Sequence, residues 1–525
     1  MTVTIRRDTL ESINVWMVAS PNIKSGKSRK VSKISGKHSK STINTTCEEK
    51  ISKETSWKSI YLVTAICMFC GVQFSIYFPT LWPFLKAVDP TTSETFFGII
   101  TASFSLGQGM ASPIFGFWMN RSKSIRQPLI YGIIIMIVAN VIFCFVEAFK
   151  QEERRWVMMV SRFFVGLGAG TVSVMRAYAA TGSSLTDRLR AITLVQAAYV
   201  IGMTIGPAMP VVFSPIDYPG WVFGPLHVDM YTSSAWFACL VCIVSLILLL
   251  ILLEEKYAGV QDEDEADYNP LPRFDVVPVS ICVLTQFTLM FIITNLETVG
   301  AMYAMAMWNW TSHQTVVITG IIQALNGIFS IFIYASFVLK FGDSMSKGRE
   351  RICTMFGLGL ALLYHMATFP FPFGPTLKST TEVLPHNVTL KLGCDPNEYA
   401  WCSSTHYVTF WLYGVLYCTL LAAAFPFVTV SMNTLFSKIL GPRRQGTMQG
   451  IMLMAGSLAR VVGPLVVSSL FQLHGPVPVW SIEIGTLSIT LLLWSLFYRR
   501  LVPLKIPDLS SGEHMKYPNG IKYRL

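Results

Sequence analysis

Four ionisable side chains stand inside long apolar runs of this sequence and ask for a chemical reason: Arg162, Arg176, Glu297 and Arg460. A charge at the centre of a bilayer costs about 2.5–3.5 kcal/mol even on a lenient insertion scale, so it turns toward protein or water. Such a set can attract an anion, carry a proton or pair internally. At a helical rise of ~1.5 Å per residue, Arg162 lies about 9 Å inside one edge of its run. It is expected to attract an anionic group, the structural alternative being an ion pair with Glu152 or Glu153. Arg176 follows fourteen residues later, close enough to the opposite edge to snorkel, and is read as an anchor. Arg460 falls near the midplane as a buried pair, a carbonyl-capping group or a pathway residue. Glu297, in TNLETVG, is the counter-ion or proton carrier of the set, or a structural partner of one arginine. Gln73, Gln108, Gln196, Gln323 and Asn326 lie at similar depth, where amides usually bond between helices. Of these, Gln73 is grouped with Arg162 and Glu297 on the substrate or ion pathway.

RFFVGLGAGTVSVMRAY, Arg162 to Tyr178, spaces its glycines like a phosphate loop. A phosphate cradle needs a strand before it and an open helix start. These glycines fall inside one continuous apolar run, so Gly166 and Gly170, four apart, instead let a neighbouring helix approach closely. No catalytic constellation competes. The eight histidines are scattered, no metal-ligand spacing occurs, and no nucleophile has a paired base. Neither enzyme activity, cofactor, metal nor nucleic-acid partner is expected.

The elements that must hold these residues follow from composition. Of 525 residues, 52% are hydrophobic and 14% charged, against about 25% charged in a soluble domain. The mean hydropathy is +0.49. Apolar runs of roughly 20 residues, each able to cross a ~30 Å hydrocarbon core, recur along the chain. They predict an all-α polytopic membrane protein of twelve spans, near 59–84, 95–118, 128–149, 157–179, 191–213, 230–253, 276–304, 314–339, 351–371, 407–433, 447–472 and 479–498. Basic clusters at Asn120–Arg126, Asp187–Arg190, Ser346–Arg351, Ser437–Arg444 and Tyr498–Arg500 all fall on one side, which is therefore cytosolic. The expected organisation is a disordered basic cytosolic tail (1–57), a six-helix half (58–254), an acidic cytosolic linker (255–275), a second six-helix half (276–500) and a cytosolic tail (501–525). A luminal loop at 372–406 carries the sequon at Asn387 and a Cys394/Cys402 pair able to oxidise. Asn309 is a second sequon, near a span end. Gly202, Gly206 and Pro207 in GMTIGP are echoed by Ala459, Gly463 and Pro464 in ARVVGP, which also carries Arg460, a weak repeat between the halves.

At this point the motifs resemble the major facilitator superfamily. RFFVGLGAG is similar to its fourth-helix pattern, GMTIGP to its fifth-helix Gly-Pro motif, and GFWMNRSKSIR to its loop-two motif. Asn120, beside Arg121, stands where that loop has Asp, which removes the acid's charge from the expected latch. NLETVGAMYAMAMWNWT (Asn295 to Thr311) and LFSKILGPRRQGTMQG (Leu435 to Gly450) are similar to an endolysosomal branch of the superfamily. The resemblance implies helices one, four, seven and ten around a central cavity, with Arg162 and Glu297 on its luminal side and Arg460 supporting the second half from behind. It implies a secondary active transporter of a small solute, with an anion channel or a non-transporting adaptor or receptor as alternatives. It also implies a lysosomal or late endosomal membrane, the plasma membrane being the alternative. Tyr268 to Leu271, YNPL in the linker, fits a tyrosine sorting signal read by cytosolic adaptors. Membrane lipid and a small molecule or ion are the other partners expected.

Overall fold

A computed structural model describes residues 54–213, 215–216, 218–223, 226–260, 271–339, 348–377, 379–384, 388–394, 399–504, 514–516 and 522–524. The basic tail up to residue 53, Tyr268 of the YNPL stretch and Asn387 of the NVT sequon lie outside them.

Twelve long helices run through the described residues: α1 Trp57–Ser75, α2 Glu94–Ser122, α3 Arg126–Cys144, α4 Gln151–Thr181 and α5 Arg188–Ala208, α6 Met230–Leu252, α7 Val276–Trp308, α8 Ser312–Val338, α9 Glu350–Ala367, α10 Phe410–Leu440, α11 Gly446–His474 and α12 Pro476–Leu496. Lipid cannot satisfy an open backbone, so each run closes its own hydrogen bonds. Ten of the twelve are apolar and long enough to cross a membrane by composition alone. The other two are α2, diluted by Gly98, Gly107, Gly109 and Gly116, and α9, which opens on Glu350 and Arg351.

Helix starts are set by short polar side chains that take orphaned N–H groups. Asp229 caps α6 and Thr311 caps α8, each in a reciprocal capping box. Asn309 ends α7 in the left-handed region, a role asparagine tolerates. The first span is shorter than the sequence suggests. α1 stops at Ser75, the chain turns through Pro79, which has no N–H to continue a helix, and a two-turn helix follows at Leu81–Val88.

Each half has its own core. One joins Ile60, Val63, Ile133, Met175, Ile192 and Leu249. The other joins Leu289, Tyr303, Tyr364, Met432, Trp480 and Trp494. Glycine lets helices touch within the first half. A Cβ on Gly202 of α5 would meet the Met68 carbonyl of α1 at 2.1 Å, and one on Gly71 would meet the Tyr199 carbonyl at 2.4 Å. Gly202→Val therefore forces two backbones apart, an overpacking cost of about 3 kcal/mol or more. The expected result is a clearly lower Tm for the purified variant in detergent; an unchanged Tm would mean that α1 and α5 do not pack this way.

The ends of the acidic linker are pinned. Glu255 accepts from Ser124 Oγ at 2.6 Å, Arg126 N at 3.1 Å and Ile125 N at 3.2 Å, securing the start of α3. Burial and this carboxylate together push the Tyr257 phenol far above its ordinary range. At the far end Asp275 forms a forked pair with Arg500, at 2.8 and 2.9 Å.

In the long loop before α10, strands Ser379–Leu384 and Val388–Gly393 form an antiparallel hairpin. A Cys394–Cys402 disulfide follows, with Cα atoms 5.6 Å apart. Next to it, Trp401 packs on Phe471 of α11, ring centroids 5.4 Å apart, and donates to the Gln472 carbonyl at 3.3 Å.

The halves meet along α2–α11, α5–α8 and α5–α10. These contacts concentrate at the end carrying the basic loops. Gly116 packs on Gly446, and Asn120 Oδ1 accepts from Gly446 N while its Nδ2 donates to Thr447 Oγ1, both at 2.9 Å. Arg444 donates to the Lys123 carbonyl at 3.1 Å. Leu189, Tyr334, Phe337 and Val430 form a small apolar plug beside them.

Candidate functional site

Above this closed end lies a cavity of about 500 Å³, a size suited to a small-molecule ligand. α4 supplies Arg176, α5 Gln196, Tyr199 and Thr204, α7 Gln286 and Glu297, α8 Gln323 and Asn326, α10 Tyr417 and Thr429, and α11 Arg460. The charged side chains on this wall are Arg176, Arg460 and Glu297: two cations against one carboxylate, a net charge of +1.

The arginines are held by aromatic faces and amides, which leaves donors for a ligand. The Arg460 guanidinium sits 5.3 Å from the Phe74 ring, and its Nη2 donates to Gln108 Oε1 at 2.5 Å. Gln108 also accepts from Ser457 at 3.3 Å and donates to the Ala169 carbonyl at 3.3 Å, tying α2 to α11 and α4. The Arg176 guanidinium sits 5.9 Å from the Tyr199 ring. Nε of each arginine has no hydrogen-bond partner among the described residues. Glu297 is open to the cavity, with Arg460 close enough to act on it electrostatically. A donor-rich wall with excess positive charge has the chemistry to hold an anion, and carboxylate or phosphate suits the guanidinium fork.

Glu297 lies on the cavity wall. Arg162 does not line the cavity. It is 3% exposed and packed between Tyr77 and Phe104, 4.4 and 5.1 Å from their rings. Among the described residues no carboxylate pairs with it, and Glu152 and Glu153 are exposed. Gln73 also stands behind the cavity wall, donating to Asn140 Oδ1 at 3.0 Å.

Arg176 corrects the expectation of a snorkelling anchor, because it faces the cavity. Fourteen residues separate it from Arg162, about 21 Å along α4, so the two arginines stand at different levels of the bundle and meet different neighbours. Arg460 likewise corrects the expectation of a support behind the second half. α11 crosses α2 where a Cβ on Gly109 would lie 3.1 Å from Ser457 Cβ, and that crossing carries Arg460 to the meeting of the two halves.

The motif residues are structural. A Cβ on Gly166 would meet the Phe104 carbonyl at 2.1 Å, and one on Gly170 would meet Ala111 Cβ at 2.8 Å, so both seat α4 on α2. Gly206 begins a tight turn against Ser75, and Pro207 reaches the cavity wall. Gly463 packs on Asn295, and Pro464 lies within α11. Arg121 is exposed at the basic end. Sequence reasoning missed Tyr199 and Tyr417. Tyr417 starts a π-turn, Tyr417–Leu421, and its carbonyl accepts from Asn326 Nδ2 at 2.8 Å. No residue pattern signals such a turn; membrane-depth tyrosines beside amides were the available hint.

Known proteins agree with this architecture. The chain is 29% identical to "Major facilitator superfamily domain-containing protein 8" of Xenopus laevis, over 86% of this chain and 92% of that one. It is 22% identical to "Multidrug resistance protein 2" of Bacillus subtilis (strain 168), over 60% and 74%. Among solved structures it is similar to the human organic anion transporter MFSD10, at 16% identity and TM-score 0.60, over 83% of this chain and 99% of that one. It is similar also to the proton:xylose symporter XylE, at 14% identity and TM-score 0.60, over 85% and 96%. The model of the Major Facilitator Superfamily matches residues 60–381, and the chain belongs to that family of multi-pass membrane transporters.

Proposed function

We propose that the chain is a secondary active transporter of a small anionic solute, working by alternating access in a lysosomal or late endosomal membrane. The observation that carries this reading is the cavity wall, where Arg176 and Arg460 outnumber Glu297. Closure at one end by Gly116, Asn120, Gly446 and the Leu189 plug fits a carrier better than an open pore. The positive-inside pattern makes that closed end cytosolic, so the cavity serves the lumen. The membrane address rests on similarity to domain-containing protein 8, with Tyr268–Leu271 as the sorting signal to delete. The test is uptake of labelled carboxylates and organic phosphates into vesicles holding the full chain. Saturable uptake is expected, reduced by about 100-fold in Arg176→Ala as one buried charge partner is lost. Uptake indifferent to Arg176→Ala, or currents far above a carrier's turnover, would overturn the reading.

A further inference from the structure

The cavity wall offers more than its three charges. Gln196 of α5 and Gln286 of α7 are buried side chains on that wall, and among the described residues neither amide has a hydrogen-bond partner. Neither is sealed in, so both amides open on the cavity. The hydroxyls of Tyr199 and Tyr417 stand in the same position. Other polar groups of the wall spend their hydrogens on the protein. Thr204 donates to the Val200 carbonyl at 2.9 Å, Ser330 to the Ala422 carbonyl at 3.0 Å and Asn326 to the Tyr417 carbonyl at 2.8 Å. The two amides and two phenols are therefore kept for a ligand. Amide and phenol both donate and accept, as does an alcohol. An apolar solute would strand them, at about tenfold in affinity for each group left unpaired.

The polar groups are stacked in order along the cavity. Arg176 lies against Tyr199, and Gly71 of α1 packs on Tyr199. Phe74, about one turn farther from the closed end, faces Arg460. A Cβ on Gly456, one turn before Arg460 on α11, would lie 3.2 Å from Gln286 Nε2. Gly463, about one turn past Arg460, packs on Asn295, and Glu297 follows Asn295 on α7. Arg176, Tyr199 and Gln286 thus form the deep level, Arg460 the next and Glu297 the outermost.

Charge and hydrogen bonding then select one kind of solute. A single negative charge neutralises the +1 wall, whereas a zwitterion leaves a cation uncompensated and a dianion leaves an excess negative charge. Glu297 as a carboxylate only accepts, so the outer end of the solute must donate. A hydroxyl does so without adding charge.

We propose that the solute is a hydroxylated organic anion with one negative charge. The charge sits toward Arg176 and Arg460, with hydroxyls beside it on Gln196 and Gln286 and at the far end on Glu297. This inference rests on the transport reading above, but its test is binding, so the two can fail separately.

The test is calorimetric binding of four six-carbon probes to the full chain in lipid nanodiscs, with empty nanodiscs as the baseline. Gluconate carries charge and hydroxyls, caproate the charge alone, glucose the hydroxyls alone, and ε-aminocaproate is a zwitterion. Gluconate is expected to bind about 100-fold more tightly than caproate, two amides at about tenfold each. It should also outbind glucose and ε-aminocaproate. Gln196→Leu and Gln286→Leu should each cost gluconate about tenfold and leave caproate no weaker. Neither amide holds another helix, so both variants should fold; if they do not, the ranking of probes on the wild type still decides. Caproate or glucose binding as tightly as gluconate would overturn the class, and ε-aminocaproate binding best would put a zwitterion in its place. A gluconate preference intact in both leucine variants would overturn the seat assigned to the hydroxyls. Gluconate left unbound by a chain that takes up another anion would overturn the class and leave the transport reading standing. Selective gluconate binding with no uptake of any anion would uphold the site and overturn transport alone.

Discussion

Valine at Gly116 or at Gly450 is expected to abolish transport while leaving the protein folded. A Cβ on Gly116 would lie 2.1 Å from the Gly446 carbonyl, and one on Gly450 would lie 2.5 Å from the Ser112 carbonyl. Both clashes are backbone on side chain, so no rotamer relieves them and α2 must part from α11. Each half keeps its own core, so the strain falls on the contact between halves. An overpacking cost of about 3 kcal/mol shifts the closed-to-open ratio at the basic end by roughly 100-fold. Leu189, 7% exposed in the plug, reports the shift. The thiol of a Leu189→Cys variant should be protected from a membrane-impermeant maleimide in the parent chain and become reactive beside Gly116→Val. Gly98→Val is the control, because a Cβ there meets nothing within 4 Å although it lies on the same helix. Unchanged uptake together with a thiol that stays protected would show that closure at this end does not depend on the α2–α11 contact.

That prediction uses residues the sequence announces only in part. The spans were legible because lipid imposes one rule on every apolar run, and α7 starts at Val276, where the hydropathy pattern places it. Depth was legible too, since rise per residue is fixed: Glu297 was expected at membrane depth and is on the cavity wall. Azimuth was not. Whether a buried arginine meets the cavity or a pair of aromatic rings depends on which helices pack beside it, and Arg162 and Arg176, fourteen residues apart on α4, meet different neighbours. Arg162 satisfies its burial by stacking on Tyr77 and Phe104, partners that no spacing rule connects to it. The Gly116–Gly446 contact joins residues 330 positions apart by number, so only the assembled bundle reveals it.

The charge balance of the cavity gives the other large effect. The wall carries +1 with Arg176, Arg460 and Glu297 present. Arg460→Met takes it to zero, Glu297→Gln to +2, and the double variant returns it to +1. In a partly wet cavity one unit of charge near an anion is worth on the order of 2 kcal/mol, about 30-fold in affinity. For any anion taken up by the reconstituted chain, Arg460→Met should weaken binding by about that factor. Glu297→Gln should bind more tightly yet turn over more slowly, because the anion must leave two uncompensated arginines. The double variant, back at +1, should bind more tightly than Arg460→Met alone and about as tightly as the parent, and any departure from that sum measures how strongly the two groups act on each other. A structural role predicts a different pattern: Arg460 also holds Gln108, so losing it would lower stability and maximal uptake with affinity unchanged. Direct binding of the labelled anion to all four forms separates the two. Equal affinity across the set would show that the anion does not sense these charges.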